Sequence, residues 1–400
     1  MKVYFSVIGI GLGHITRCLS IARQLSQEGI ECVFSSYGKA AKLAKEAGYT
    51  TYTLKDLMWY EDEKGHVDFE RTLLHGPLLF KCIAGHFVEE DTYLKKEKPD
   101  LVVIDSRYST IPASKNLYVP RVYITNQPRF YMPKSNNGHE MTPLEYIGNK
   151  FNYRLLSGQD RILIPDFPLP HSISQRHMKF RENAPDSFIK KTEFVGPISY
   201  DRPGNRTDGE VEEICKGYGL EPGNFIYIAF SGPGELRENI RDGISQFFPR
   251  YKTPSIMGTG DTGETRSHRR GNMILVDGWI KDRDALIQGA SLVVCRAGLS
   301  TLSELLAYGK KAVVIPQANQ PEQESNSQGI ENLGSAKTIS PLDVDTISLK
   351  KTIEYVESSI EMKKSAEKAK VLAARWKGEV NSARVIKELL KAHQTTASGT

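Results

Sequence analysis

The sequence predicts an α/β protein with two Rossmann-like domains, each built on a doubly wound parallel sheet. Three observations lead to this fold class. The chain of 400 residues is long enough for two domains. Short β-branched segments alternate with longer amphipathic segments, as expected for repeated βαβ units. The alternation pauses at residues 197–224, which are rich in Pro, Gly and charged residues, and then starts again.

The first predicted domain, residues 1–196, contains segments with the continuous apolar character of buried parallel strands. Between the first two, apolar residues at helical spacing predict a helix over 15–27 that ends at Gly29. Because segment 2–10 already has the character of a strand, no secretory signal is predicted. The predicted strands are 2–10, 30–35, 101–104, 121–124 and 161–164.

The second predicted domain, residues 225–375, repeats this pattern. The intervening residues 197–224 are expected to form a linker with a short acidic helix. A last long helix is predicted over 360–393, and a terminal segment, 376–400, is expected to end in a disordered tail from Thr395. The predicted strands are 225–230, 254–257, 273–276, 292–295 and 312–315.

Composition limits the classes of partner and location. The net charge of +5 permits an anionic ligand or membrane surface, and without a nucleic-acid motif no nucleic acid is expected. Five scattered cysteines without a C-x-x-C pair predict a reducing, cytoplasmic location with neither disulfides nor a zinc site. No apolar segment approaches the ~20 residues that a spanning helix requires.

Residues 295–304 have the chemistry of a nucleotide site. A buried strand leads to a turn at Gly298, and a helix is predicted to start at Ser300 and Thr301. A helix N-terminus binds phosphate through unpaired N–H groups, and Arg296 can add a guanidinium. Glu304, one turn later, can accept hydrogen bonds from a ribose diol. A capped helix with a surface arginine and a solvated glutamate is the alternative interpretation.

This segment resembles the donor-binding signature of GT-B glycosyltransferases. It is similar to the UDP-glucosyl/glucuronosyltransferase superfamily and to the peptidoglycan N-acetylglucosaminyltransferases. The resemblance implies that Gly298 holds the pyrophosphate, Glu304 binds the ribose, and Glu322 and Gln323 contact the sugar. It also implies two Rossmann-like domains facing across a cleft, with the C-terminal helix crossing back to the first domain. Many relatives carry His where this chain has Arg296.

A second motif, Gly9-Ile-Gly11-Leu-Gly13-His14, follows the first predicted strand. Its glycine spacing differs from the dinucleotide fingerprint, and serines at 35–36 stand where an acidic residue is expected, so NAD is disfavoured. The motif resembles the N-terminal loop of the same transferases. The resemblance implies that His14 is the general base, with Gly13 beside the donor. A histidine that caps the helix is the alternative.

Asp105 ends the predicted strand 101–104. In the plant-type relatives an aspartate at such a strand end holds the catalytic histidine in its tautomer. The resemblance therefore implies that Asp105 orients His14, as a triad carboxylate orients its imidazole. An aspartate that caps the following segment, 106–114, is an equally open alternative.

Further donor contacts are expected at two strand ends of the second domain. Ser231, Gly232 and Gly234 follow its first strand, where the relatives have a loop that lines the donor phosphates. The resemblance also implies that Trp279 stacks on the uracil and that Ile280 bonds the base edge through its backbone. The alternatives are a tight strand-to-helix turn and a core tryptophan.

The remaining motifs concern metal and acceptor. The tripeptide Asp-Val-Asp at residues 343–345 resembles a metal-binding D-x-D motif. It precedes a predicted helix, however, and Asp345 can cap that helix. No catalytic metal and no cofactor are therefore expected. The apolar segment 73–87 is a core helix, an acceptor wall or a shallow membrane patch.

Together these features predict an inverting, metal-independent glycosyltransferase. It would move a sugar from a nucleotide donor, expected to be UDP-linked, to a hydroxyl of a small-molecule, glycan or lipid acceptor. The expected location is cytoplasmic, with peripheral contact at the inner face of the membrane allowed. Two alternatives stay open: a nucleotide-sugar epimerase or hydrolase on the same fold, and a non-catalytic nucleotide-sugar-binding subunit.

Overall fold

The computed structural model has two domains, each built on a parallel sheet. Within the described residues each sheet has seven strands, and in each sheet the first strand of the domain lies near the centre. The predicted fold class is therefore confirmed. The structure describes residues 1–56, 76–129, 131, 141–200, 206–230, 238–258, 266–277, 280–318 and 320–398.

The first sheet has the order β3-β2-β1-β4-β5-β6-β7, and all neighbouring strands run parallel. The order reverses between β1 and β4, where ligands bind in doubly wound sheets. In the register of these two strands Val7 lies opposite Asp105. The strands are β1 Lys2–Val7, β2 Glu31–Ser36, β3 Thr50–Thr53, β4 Leu101–Asp105, β5 Arg121–Ile124, β6 Arg161–Ile164 and β7 Thr192–Phe194.

Helices cover both faces of the first sheet. One core cluster lies under α1 and α2, and the other contains residues of α3, α4 and α5. These helices are α1 Gly13–Ser26, α2 Gly38–Glu46, α3 Gly76–Glu97, α4 Thr110–Ser114, α5 Pro143–Leu156 and α6 Asp186–Ile189. Short 3-10 turns lie at Lys115–Leu117 and His177–Glu182.

The second sheet repeats the topology in the order β10-β11-β9-β8-β12-β13-β14, with only β10 antiparallel to its neighbour. The strand order reverses between β8 and β12, and residues 295–304 follow β12. The strands are β8 Ile226–Ala229, β9 Ser255–Gly258, β10 Ser267–Arg270, β11 Met273–Val276, β12 Leu292–Cys295, β13 Ala312–Val314 and β14 Ala336–Thr338.

The second half is rich in helices. The short acidic helix predicted within the linker is α7, and it packs into the core of the second domain through Val211 and Cys215. The helices are α7 Asp208–Gly217, α8 Glu238–Phe247, α9 Arg283–Gly289, α10 Leu299–Tyr308, α11 Pro321–Asn332, α12 Thr346–Ser358, α13 Ile360–Arg375 and α14 Gly378–Ser398, with a 3-10 turn at Phe248–Arg250.

The C-terminal helix crosses back to the first domain, as predicted. α14 buries Ala383, Ile386 and Leu390 in the core cluster that also contains α1. The prediction of one continuous helix over 360–393 is wrong, because the chain leaves the helix between α13 and α14. α14 extends to Ser398, and residues 399–400 lie outside the described part, so disorder of the tail stays a prediction.

No helix in the described part of the chain is both long enough and apolar enough to span a bilayer. All five cysteines are free, and only Cys82 is not buried.

Candidate active site

His14 lies in the first turn of α1, at the carboxyl edge of the first sheet. The loop before it needs glycine, because Gly11 has a φ of +67°, a left-handed conformation that L side chains rarely adopt. The imidazole Nδ1 is 2.7 Å from Asp105 Oδ1. Leu12 is the N-cap residue of the helix, so His14 does not act as the cap. The His14 side chain is 23% exposed, which leaves part of the ring open to solvent.

Asp105, the last residue of β4, is fully buried and its carboxylate faces α1. Besides His14 it accepts hydrogen bonds from Arg17 and from the Cys18 thiol at 3.2 Å. Burial opposes the charge, but Arg17 and His14 outweigh burial and hold the pKa of Asp105 well below its ordinary value. The contact expected from sequence is present, and the N-cap residue of the next helix is Ser109.

Arg17 was not singled out in the sequence, although it stands one helical turn after His14. Its Nε donates to Asp105 Oδ2 at 2.6 Å, and its Nη2 donates to Oδ1 at 2.5 Å. Nη2 also lies 2.9 Å from His14 Nδ1. The i, i+3 spacing places both side chains on one face of α1, and this spacing was the available signal.

The two glycine loops predicted from sequence meet across the cleft. Ser300, in the first turn of α10, donates to the carbonyl oxygen of Gly13 at 3.4 Å. A Cβ at Gly13 would lie 2.7 Å from the Ser300 hydroxyl oxygen, so a larger residue there would require the Ser300 side chain to move. α10 starts at Leu299 with Gly298 as its N-cap residue, and the space beside Gly298 is open. Thr301 follows Ser300 and is half-buried.

Arg296 follows β12 and is buried rather than on the surface. Its Nη1 lies 3.3 Å from the carbonyl oxygen of Ile315 and 3.2 Å from that of Pro316. The guanidinium carbon is 5.5 Å from the centre of the Phe230 ring. These contacts fix the guanidinium at the edge of the sheet where α10 begins; its contact with phosphate stays a prediction.

Glu304 forms an ion pair with Arg283 of α9. Arg283 Nη2 is 2.7 Å from one carboxylate oxygen, and Nη1 donates to the other at 3.1 Å. Burial opposes the charge of Arg283, but the Glu304 carboxylate outweighs burial and raises the pKa of the guanidinium above its ordinary value. Arg283 is a functional candidate that sequence reasoning missed, because it lies on a different helix.

Glu322 and Gln323 lie in the first turn of α11, where the helix dipole favours an acidic side chain. Both carboxylate oxygens of Glu322 accept hydrogen bonds from the first domain, from Asn126 Nδ2 and from Gln127 Nε2, each at 2.7 Å. Gln323 accepts a hydrogen bond from the backbone N–H of Gln317. The two amides follow β5, and no local pattern in the sequence pairs them with Glu322.

A second contact joins the domains on α11. The Asn326 side chain donates to the carbonyl oxygen of Ala297 at 2.9 Å and accepts from the Ser174 hydroxyl. A Cβ at Gly329 would lie 1.9 Å from the carbonyl oxygen of Ile173, so the first-domain loop packs directly on the helix. The loop that precedes α10 is therefore tied to the first domain.

The other predicted donor residues are only partly described. Ile280 is buried just before α9. Ser231, Gly232, Gly234 and Trp279 lie outside the described residues. Their predicted contacts with phosphate and uracil stay predictions.

The remaining predictions concern residues 343–345 and 73–87. Asp345 caps α12, where its carboxylate accepts from the Ser348 backbone N–H at 2.7 Å, and this prediction is confirmed. Of the apolar segment 73–87, residues 73–75 lie outside the described part, and the rest belongs to α3. Ile83 and Phe87 on α3 are exposed, so this part of the segment is not wholly a core helix.

Comparisons with known proteins point to one class of protein. A profile described as the glycosyltransferase family 28 C-terminal domain matches residues 248–386. An uncharacterized glycosyltransferase of Methanosarcina acetivorans is 26% identical, with 98% of each chain covered. The UDP-N-acetylglucosamine--N-acetylmuramyl-(pentapeptide) pyrophosphoryl-undecaprenol N-acetylglucosamine transferase of Listeria welshimeri is also 26% identical, covering 89% of this chain and 90% of that enzyme.

Two solved structures share the fold. The glycotransferase of kitacinnamycin superposes with a TM-score of 0.67 at 16% identity, covering 97% of this chain and 98% of that one. The calicheamicin glycosyltransferase CalG4 gives 0.61 at 15% identity, with 98% of each chain covered. The chain is therefore a glycosyltransferase with the GT-B fold. Its second half carries a glycosyltransferase family 28 C-terminal domain.

Proposed function

We propose that this glycosyltransferase is an inverting, metal-independent enzyme that transfers a sugar from a UDP-linked donor to an acceptor hydroxyl. The observation that carries the proposal is the position of the His14–Asp105 pair. The pair lies at the reversal point of the first sheet, and Gly13 beside it contacts Ser300 in the first turn of α10. A base and a phosphate-binding helix start thus face each other across the cleft.

His14 would act as the general base. Because ionised Asp105 only accepts hydrogen bonds, Nδ1 must carry a hydrogen and Nε2 is left as the proton acceptor. The acceptor hydroxyl gives its proton to Nε2 while its oxygen bonds the anomeric carbon. The bond from that carbon to the phosphate oxygen breaks, and its electron pair leaves with the diphosphate. This single in-line displacement inverts the anomeric configuration.

The second domain would bind the donor. The open space beside Gly298 and the N–H groups at the start of α10 suit the diphosphate. Glu304, held by Arg283, is the candidate for the ribose hydroxyls. Glu322 and Gln323 are the candidates for the sugar. Charge that develops on the leaving diphosphate is stabilised by the helix dipole without requiring an ion.

Metal independence is supported by the role of the Asp-Val-Asp motif at residues 343–345. Asp345 uses its carboxylate to cap α12. Its bond to the Ser348 N–H lowers the pKa of Asp345, as expected for a cap. The motif therefore has a structural explanation that does not involve a donor diphosphate.

The acceptor is proposed to be a lipid-linked glycan met at the inner face of the membrane. The Listeria relative is named for a pyrophosphoryl-undecaprenol acceptor. On α5, Leu144, Ile147 and Phe151 form a stripe in which each residue is more than 60% exposed. Lys150 and Arg154 flank the stripe and are also exposed. An apolar stripe with basic neighbours suits an anionic membrane surface.

A panel of nucleotide sugars tests the proposed donor. The protein is incubated with UDP-, GDP- and dTDP-linked sugars, and release of nucleoside diphosphate is followed, with His14→Ala as the matched control. We expect slow hydrolysis of a UDP-sugar that this substitution reduces. Release from no donor, or conversion of the donor to its epimer without release of UDP, would contradict a transferase. Once an acceptor is found, the anomeric configuration of the product by NMR decides whether the reaction inverts.

Binding to vesicles tests the location. Vesicles of phosphatidylglycerol and phosphatidylcholine should co-sediment the protein, and vesicles of phosphatidylcholine alone should retain less. A variant with Ile147→Ser and Phe151→Ser should bind less at the same lipid composition. Equal sedimentation of the two proteins would remove α5 as the membrane contact.

A further inference from the structure

The side chain of Arg17 is fully engaged between the candidate base and Asn126, the residue that contacts Glu322 of the second domain. It is buried, and its guanidinium makes two hydrogen bonds to Asp105. Its third nitrogen, Nη1, lies 3.4 Å from Asn126 Oδ1. With all three nitrogens directed at fixed partners, the guanidinium has one orientation.

The charge of Arg17 bears directly on the base. A lone buried carboxylate beside an imidazole favours the protonated, cationic imidazole, which cannot accept a further proton. Here Arg17 compensates the Asp105 charge, and its Nη2 lies 2.9 Å from His14 Nδ1. If the imidazole were protonated, its positive charge would lie at that distance from the positive guanidinium, and the two charges would repel. The pair therefore keeps the orienting carboxylate while opposing the charged form of His14.

The other titratable groups near this cluster do not replace Arg17. Cys18, also on α1, donates its thiol hydrogen to Asp105, and burial raises the pKa of that thiol well above its ordinary value, so it stays neutral. Glu322 approaches from α11 and favours the charged form of Arg17. Tyr123 of β5 also faces Asp105 and Arg17, and burial raises the pKa of its hydroxyl well above its ordinary value, so it stays neutral. Among the described residues packed here, Arg17 is thus the cation that offsets Asp105.

Arg17 also sets the direction of Asn126. The amide oxygen of Asn126 faces the guanidinium, which only donates, so its NH₂ group must face the other way. That group donates to Glu322 Oε1 at 2.7 Å. One arginine therefore orients Asp105 and also the Asn126 amide that contacts Glu322 of the second domain.

We infer that Arg17 is a positioning residue, which keeps His14 neutral with its hydrogen on Nδ1 and directs Asn126 toward Glu322. The inference rests on the proposed role of His14 as the base. Arg17 acts through other residues and does not itself exchange a proton. Arg17 thereby makes the buried Asp105 carboxylate compatible with a neutral His14 that can accept a proton.

Nuclear magnetic resonance of the whole protein, labelled with ¹⁵N at histidine, tests the inference without any substrate. At pH 7 the His14 resonances, assigned with His14→Ala, should show a neutral ring with hydrogen on Nδ1. A ring that is protonated at pH 7, or one with its hydrogen on Nε2, would overturn the inference. This measurement on the unaltered protein stands even when a variant fails to fold and even when the reaction is not glycosyl transfer.

Variants supply the second readout. Arg17→Met removes the charge at similar volume, and Arg17→Lys keeps the charge. The acid limb of the pH profile of kcat should move to higher pH by about 1–3 pH units in Arg17→Met. At a pH below the acid limbs of both proteins, kcat of Arg17→Met should be lower than that of the unaltered protein. The difference should be about tenfold for each pH unit by which the limb has moved. In Arg17→Lys the limb should stay near its original position. Where activity is too low to give a pH profile, titration of the His14 resonances by NMR supplies the same comparison.

A double variant provides the matched control. Arg17→Met combined with Asp105→Asn removes both charges, so the acid limb should return toward the position found in the unaltered protein. A merely structural arginine would lower kcat in Arg17→Met at all pH values without moving the limb. If the acid limb lies at the same pH in Arg17→Met and in the unaltered protein, the inference is overturned.

Discussion

Replacement of Glu304 tests the nucleotide site separately from the chemistry. The Glu304 carboxylate is held by two contacts from Arg283, so its direction is fixed before a ligand arrives. A hydrogen bond from a hydroxyl to such a charged acceptor contributes about 1.5–3 kcal/mol. Removing it in Glu304→Ala should therefore weaken UDP binding by roughly 10- to 150-fold.

The same substitution also affects stability, and the structure gives the expected size. Breaking a fully buried ion pair costs about 3–5 kcal/mol because one charge is left unpaired. Here the Arg283 side chain is 22% exposed, so water can reach the guanidinium after the change. We expect a smaller loss of about 1–3 kcal/mol. The binding assay must therefore use protein shown to be folded at the assay temperature.

Isothermal titration calorimetry with UDP is the assay, and two comparisons make it specific. Uridine diphosphates that lack the 2′- or 3′-hydroxyl should bind the unaltered protein poorly and lose little more in Glu304→Ala. Arg283→Ala leaves the carboxylate in place but frees its direction, so it should weaken UDP binding less than Glu304→Ala. If UDP affinity is the same in all three proteins, Glu304 does not bind the ribose and residues 295–304 are not a nucleotide site.

Three further predictions concern the base, the metal and acid stability. His14→Ala should lower kcat by about 10²–10⁴-fold with UDP affinity nearly unchanged, because base catalysis supplies that factor; an unchanged transfer rate would remove His14 from the mechanism. Transfer should survive excess EDTA, and loss of activity that Mg²⁺ or Mn²⁺ restores would overturn metal independence. Because its pKa is lowered, Asp105 stabilises the folded protein fully above about pH 3.8 and less as the pH falls below that value. The unaltered protein and Asp105→Asn should therefore differ less in free energy of unfolding when urea titrations are carried out in acid.

Most of the fold was predictable because parallel strands in a doubly wound sheet are buried on both faces. The central strands therefore appear as continuous apolar segments such as 101–104 and 292–295, and all ten predicted strands are present. The strands missed by the sequence analysis, β3, β7, β10 and β14, lie at sheet edges. Edge strands are short and more exposed than central strands, so their residues carry no continuous apolar pattern. All four residues of β10 are exposed.

The site was predictable only where its residues lie within local motifs. His14 and Asp105 were named by resemblance, and the structure brings them together. Arg283, Asn126 and Gln127 were missed, because each acts on a residue distant in sequence. A sequence motif records residues that share a turn, whereas these contacts depend on how helices and domains pack.

The contacts across the cleft bear on how the donor sugar would be held. Glu322 belongs to the second domain, yet Asn126 and Gln127 of the first domain bind its two oxygens. A carboxylate has about four lone-pair sites, so two amide bonds leave room for hydroxyl groups of a sugar. The amides therefore need not leave when a sugar binds, and they fix the carboxylate in advance. Since Arg17 directs Asn126 and also holds Asp105, the orientation of the carboxylate proposed to bind the sugar and that of the proposed base depend on one buried guanidinium.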